Sequence, residues 1–183
     1  NNAGYSSTID NPVANASEVL LHLRKASVLK PDNRSDGKNI FETSSSEILL
    51  DKSRNYMQIN TPRLQGVCAE KGTTVQLSDF GIAQMSENGN LALVSIDGMN
   101  KIYESKRLML VYATNALNSD MEFASDDMLN LLNCGHGPTL IERASFSISV
   151  RNKNAAQLIL YPLDIGGNRL KSIKPDSVKN DTA

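Results

Sequence analysis

From residue 41 onward the chain is a succession of short β-type apolar runs, each closed by a cluster of turn-forming residues. No other feature constrains the fold as strongly. Residues 47–51 and 56–60 flank Lys52-Ser53-Arg54-Asn55, a hairpin pattern. Runs 63–69 and 73–77 follow with Gly72 between them, and run 91–96 comes after an Asn88-Gly89-Asn90 turn. Run 107–114 carries Leu-Met-Leu-Val-Tyr. Run 144–150 alternates strictly, setting Phe146, Ile148 and Val150 on one face against Ser145, Ser147 and Ser149 on the other. Residues 157–163 read as the last strong strand, and Gly166-Gly167-Asn168 turns the chain into 169–173. Eight or nine regularly spaced strands without alternating helices argue against a parallel α/β sheet. The expectation is an all-β protein, an antiparallel β-sandwich of jelly-roll or Ig-like type. Residues 126–133 read equally as a helical turn or a loop.

One short helix precedes this series. Val19, Leu20, Leu23, Ala26 and Leu29 recur at helical spacing. Ser17 is the expected N-cap, Glu18 falls in the first turn, Lys25 and Lys30 lie toward the end, and Pro31 is the expected stop. The organisation expected is an arm, helix and loop over 1–40, a β-sandwich over 41–173, and a tail, linker or truncated last strand over 174–183. The sequence opens on Asn1 without a charged-then-apolar leader, which reads as an excised or mature piece. Asn-x-Ser/Thr triplets begin at Asn15, Asn33 and Asn180 and matter only in a eukaryotic secretory setting.

Charge narrows the partners. Nineteen basic against twenty acidic side chains, with no basic stripe, argue against a nucleic-acid binder held by phosphates. No apolar run approaches the ~20 residues of a membrane helix. Cys68 and Cys134 form neither a disulfide framework nor a metal cluster.

Candidate chemistry is sparse. Of the two histidines, His22 lies on the helix, and His136 sits in Cys134-Gly135-His136-Gly137-Pro138 without a nucleophile elbow. Cys134 with His136 makes half a zinc site and lacks the other half. Acids are plentiful but fall mostly in turns, where Asp bonds its own backbone. Asp120, Glu122, Asp126 and Asp127 offer hard oxygens to calcium, without the glycine and spacing of an EF-hand, so a solvated acidic loop is the favoured expectation and no cofactor is expected. Residues 164–168 form a hairpin turn rather than a phosphate loop. Alternation puts Tyr56 with Gln58 and Asn60 on a water-facing side, opposite Met57 and Ile59. Tyr103 sits near a hairpin tip, while Tyr112, Phe146 and Tyr161 are expected in the core. The weak aromatic endowment, without tryptophan, leaves Tyr56, Gln58 and Tyr103 as the candidate contacts to a sugar.

Several stretches together resemble a known family. Glu47-Ile48-Leu49-Leu50-Asp51, followed by Thr61-Pro62-Arg63-Leu64-Gln65-Gly66, resembles a signature of β-sandwich domains that follow the (β/α)-barrel in bacterial glycoside hydrolases of cellulase and β-galactosidase-like type. The run 106–110 with Thr114-Asn115 is similar to a strand of those domains that runs into an Asn-containing turn. Gly135-x-x-Pro138-x-Leu140-x-Glu142, then Leu163-Asp164 with Gly167 and Arg169, continue the resemblance in order over residues 41–173. Serines 44–46 replace the family's frequent Asp-Thr-Gly, and Leu50 stands where Trp is common. The resemblance implies a non-catalytic, carbohydrate-binding or substrate-positioning module of a secreted polysaccharide-degrading enzyme, extracellular or at the cell surface. Its partners would be a plant or microbial polysaccharide and a tethered catalytic domain, with no nucleic acid and no membrane. The competing expectation is a structural accessory domain that packs on the barrel without touching sugar. At the Thr61-Pro62 corner, Arg63 is expected to bridge to Asp51 or Glu47.

Overall fold

The computed structural model describes residues 16–179 and 181–183. The arm expected over 1–15 and the triplet asparagines Asn15 and Asn180 lie outside the described residues. The chain is all-β, built of antiparallel sheets with a single short helix. It divides into two compact units, Asn1–Met57 and Gln58–Ala183, whereas the sequence suggested a first division at residue 40.

In the first unit, helix α1 spans Ala16–Lys25, so Ser17 lies inside it rather than capping it. Its end is set before Pro31 is reached. The Val28 N–H bonds the Leu23 carbonyl at 3.0 Å and the Ser27 N–H bonds that of Arg24 at 3.0 Å, with Ser27 left-handed at φ 56°. This is a Schellman closure with serine in the position that favours glycine. Arg24 then reaches the carbonyls of Asn33 and Ser35, both at 2.9 Å. Strands β1 (Ile40–Glu42) and β2 (Ile48–Asp51) pair antiparallel, with Phe41 opposite Leu50. Asn33 is buried, and its amide donates to the carbonyls of Glu42 (3.3 Å) and Thr43 (3.1 Å), tying the loop to β1. Leu29, Leu49 and Tyr56 supply the buried apolar side chains of this unit.

Strand β3 (Tyr56–Asn60) contains the division between the units. After it come β4 (Leu64–Ala69), β5 (Val75–Gln76), β6 (Phe80–Met85), β7 (Gly89–Ser95), β8 (Leu108–Ala113), β9 (Ala116–Phe123), β10 (Leu131–Ile141) and β11 (Phe146–Val150). One sheet of the second unit runs β4-β7-β8, another β11-β6-β5, and β9 with β10 forms a separate two-stranded ribbon. Phe80, Ile82 and Met85 from β6, Leu91 and Leu93 from β7, and Val67 from β4 are buried together with Ile102. Apolar side chains from both sheets thus fill the interior, a sandwich-like arrangement.

Several expectations change here. The strongest omission is β6, whose Gly81 breaks the apolar run and whose Met85 falls out of alternation with Phe80 and Ile82. The register shift between Ser147 and Ile148 leaves Ala83 as the extra residue on β6, which is why Met85 rather than Gln84 turns inward, opposite Phe146. Phe146, expected in the core, is exposed, packed edge-on against Tyr112 at 5.9 Å. Tyr112, also expected in the core, is only half-buried, and its hydroxyl donates to the Glu87 carbonyl at 2.6 Å. Strand β10 runs through Gly135, Gly137 and Pro138, turn residues by composition: the irregularity between His136 and Thr139 takes up Gly137 and Pro138, and Gly135 sits between the paired Cys134 and His136. Of residues 126–133, 126–130 are a loop held by the Met128 N–H to the Ser125 carbonyl at 3.1 Å, and 131–133 already belong to β10. The strand expected at 157–163 is not continuous. Isolated bridges Leu160↔Ile173 and Leu163↔Arg169 flank Pro162, which has no N–H to give a ladder. The Asp164–Asn168 turn does close, and Tyr161 is exposed with Arg169 over its ring at 4.7 Å. At the C-terminus, Val150 and Ala183 exchange backbone bonds at 2.8 and 3.0 Å, so residues 181–183 lie as a short extra strand beside the end of β11.

Candidate functional site

The expected sugar contacts take different places from those that alternation suggested. Tyr56 is 6% exposed, with the Arg54 guanidinium 5.3 Å from its ring centre. Burial pushes its hydroxyl pKa up, with Arg54 opposing. Alternation gives the two faces of β3 correctly but not which one turns inward; Met57 is the more exposed neighbour. Gln58 is half-buried on the same strand.

Tyr103 is half-exposed, but its polar and aromatic faces are both engaged. Its hydroxyl donates to the Asp181 carboxylate at 3.1 Å, and the Arg151 guanidinium lies 4.9 Å from its ring centre. The hydrogen bond to anionic Asp181, and the charge of that carboxylate, raise the phenol pKa. Arg151 in turn pairs with Asp79 at 2.6 Å, and Asp79 is fixed by Gln65.

The Thr61-Pro62 corner also resolves differently. Arg63 donates to the Gly98 carbonyl and contacts Met99 Sδ at 3.4 Å, rather than bridging to an acid. The carboxylate of Asp51 is occupied locally, accepting from the Ser53 N–H at 3.0 Å and its hydroxyl at 2.6 Å.

The carboxylates are engaged in turns. Asp97 accepts from the Lys106 N–H and Asn100, Asp164 from Asn168 and Asp127 from Ser125 and the Leu129 N–H; these donors hold their pKa values down. Burial works to raise Glu42, but donation from Arg34 outweighs it and the net shift is downward. Asp120 pairs with His136 at 2.7 Å on the exposed ribbon, and Glu122 lies opposite Asn133. Among the described residues no three His, Cys, Asp or Glu side chains gather to hold a metal ion. No helix among them is long and apolar enough to cross a membrane.

Two surface features stand out. On the outward face of the β11-β6-β5 sheet, Gly81 lies between Gln76 of β5 and Ser149 of β11. Having no side chain, Gly81 lets Ser149 Oγ and Gln76 Oε1 close over the space that a Cβ would fill. A shallow furrow opens there, lined also by Thr74, Val75 and Ala83, without a charged side chain. The serine alternation of 144–150 signalled the polar face; only strand register reveals Gln76 opposite Gly81.

The second feature is the β9-β10 ribbon, which is apolar on its surface. Leu131, Leu132, Leu140 and Ile141 are all exposed, as are Met128 and Leu129 in the loop joining the strands. Exposed Ile159, Leu163, Leu170 and Ile173 repeat this character further along the chain. Leu131 and Leu132 stand at one end of the ribbon, by Phe123, and Leu140 and Ile141 at the other, opposite Leu117 and Ala116; exposed apolar groups gathered on one element are candidates for contact with a partner.

Comparison with protein-family models, curated proteins and solved structures returned no match for this chain.

Proposed function

We propose that this chain is a non-catalytic accessory β-domain of a polysaccharide-degrading glycoside hydrolase, seated against the catalytic barrel to which it is tethered. The observation that carries the reading is the exposed apolar β9-β10 ribbon, with Leu132 64% and Ile141 62% exposed on a separate two-stranded element. Such surface is unfavourable in water and gains about 25 cal/mol for each Å² covered by a partner. The turn-bound acids support the non-catalytic part: Asp97, Asp127 and Asp164 are each committed to neighbouring donors. Acting on polysaccharide places the enzyme outside the cell or at its surface. Sugar contact through Tyr56, Gln58 and Tyr103 has weaker support, since the first ring is buried and Arg151 covers the other.

The test is the coding sequence on either side and the protein it encodes. A (β/α)-barrel in the same reading frame that becomes insoluble when expressed without residues 1–183 supports the proposal. A reading frame without a hydrolase, or a barrel equally soluble and active alone, overturns it.

A further inference from the structure

We propose that the open edge of β8 pairs with the same edge of a second copy of this chain, joining the two β4-β7-β8 sheets across a two-fold axis. The edge is defined by register. Strand β8 is the last of its sheet; Val94 pairs with Met109 and Ala92 with Val111, and the Ile96 N–H donates to the Arg107 carbonyl at 3.0 Å. Alternation therefore turns the backbone groups of Met109, Val111 and Ala113 toward β7 and those of Leu108, Leu110 and Tyr112 outward. Among the described residues nothing bonds these outward N–H and C=O groups. Both faces of the edge are open: Met109 and Val111 are 43% and 42% exposed, and Leu108, Leu110 and Tyr112 are half-buried.

Other edges are blunted. Residues 181–183 occupy one end of β11, Asp120 interrupts β9 at φ 57°, and β10 is irregular at two places. From Leu108 to Ala113, β8 has no proline, glycine, charge or bulge, and an apolar edge of this kind is a template for pairing with another chain. Two features select a second copy as that chain. An antiparallel two-fold centred on Leu110 sets Leu110 opposite itself, Leu108 opposite Tyr112 and Met109 opposite Val111. Every outward backbone group is then bonded, and the exposed apolar side chains cover each other at the closest cross-strand spacing. The ends of β8 also carry opposite charge. The loop entering it is net basic, with Lys101, Lys106 and Arg107 against Asp97 and Glu104. Its exit has Glu87, bonded to Tyr112, and Glu142, bonded to Asn115, against Arg143. The two-fold brings each basic start beside an acidic end. Six residues a side fall short of the ~800 Å² per partner of a stable interface, so the dimer is weak and reversible.

The experiment is sedimentation velocity of the 183-residue chain from about 5 µM to about 500 µM. The expected result is a monomer–dimer equilibrium with a Kd on the order of 10–100 µM. Met109→Glu and Val111→Lys each weaken it by about tenfold or more, with an unchanged far-ultraviolet spectrum, because each sets a lone charge against an apolar neighbour. The double variant restores the dimer, because the register sets each new carboxylate opposite a new ammonium. If a single variant does not fold, Leu110→Pro carries the test: its N–H points outward, so β7 keeps its ladder while the dimer loses its centre. A chain monomeric throughout, assembly that runs past the dimer, or a dimer indifferent to the single variants overturns the proposal. So does a loss that the double variant fails to restore, or a dimer removed instead by Leu132→Lys on the ribbon. None of these outcomes bears on whether a catalytic barrel is tethered to the chain.

Discussion

Gln65 and Asp79 grip each other twice inside the second unit. The Gln65 side-chain carbonyl accepts the Asp79 backbone N–H at 2.7 Å, and its amide faces the Asp79 carboxylate at 3.4 Å. Gln65 is fully buried on β4, and Asp79 stands at the start of β6, so the pair joins the two sheets through the core. Gln65→Leu keeps the volume roughly constant but leaves a buried N–H without its acceptor. The expected loss is about 1–3 kcal/mol, read from urea unfolding. An unchanged midpoint would mean that the pair is incidental.

The helix ends on the wrong residue for its geometry. Ser27 holds a left-handed conformation at φ 56° as α1 closes. Ser27→Gly removes a steric cost of roughly 1 kcal/mol and is expected to raise the melting temperature. Ser27→Val at the same position is expected to lower it.

Asn152 is fully buried and serves three backbone groups. Its amide donates to the carbonyls of Ile102 (2.6 Å) and Ser105 (2.8 Å), and its side-chain oxygen accepts the Asn154 N–H at 2.7 Å. Asn152→Ala leaves all three without that partner, at an expected cost of about 3 kcal/mol or more. Calorimetry measures it directly.

Acid should loosen the first unit through Glu42. Its folded pKa lies below the ordinary glutamate value of 4.5, so its contribution is fully present above that value. It fades as pH falls through the lower, folded pKa. The stability gap between wild type and Glu42→Gln is therefore expected to narrow from about pH 6 to about pH 3. A gap constant across that range would refute the linkage.

The Asn33-Arg34-Ser35 triplet satisfies the glycosylation pattern, but the nitrogen that would carry the glycan is bonded to the Glu42 and Thr43 carbonyls. Folded protein secreted from a eukaryotic host is expected to be unmodified at Asn33 by peptide mass mapping. Stoichiometric glycan there, on protein of native stability, would contradict the buried position.

Sequence pattern found the strands whose apolar residues alternate between good turns. Strands β2, β3, β4, β7 and β8 fall where runs 47–51, 56–60, 63–69, 91–96 and 107–114 were read. It failed where a bulge or a glycine breaks the period, as in β6 and β10, because register with a partner strand then decides the structure. The long, largely exposed ribbon was illegible for the same reason. Tyr56 shows a further limit: alternation separates the faces of a strand, but only the rest of the fold decides which becomes interior. The Gly81 furrow joins Gln76 and Ser149, distant in sequence, and no local pattern could bring them together.

The bond from Tyr103 to Asp181 makes the carboxyl-terminal strand optically visible. The chain has no tryptophan, so tyrosine dominates its ultraviolet emission, and a phenol bonded to a carboxylate loses excited-state energy by passing its proton across. Peeling residues 181–183 from β11 should brighten the protein before its interior opens, giving a label-free signal for this edge alone.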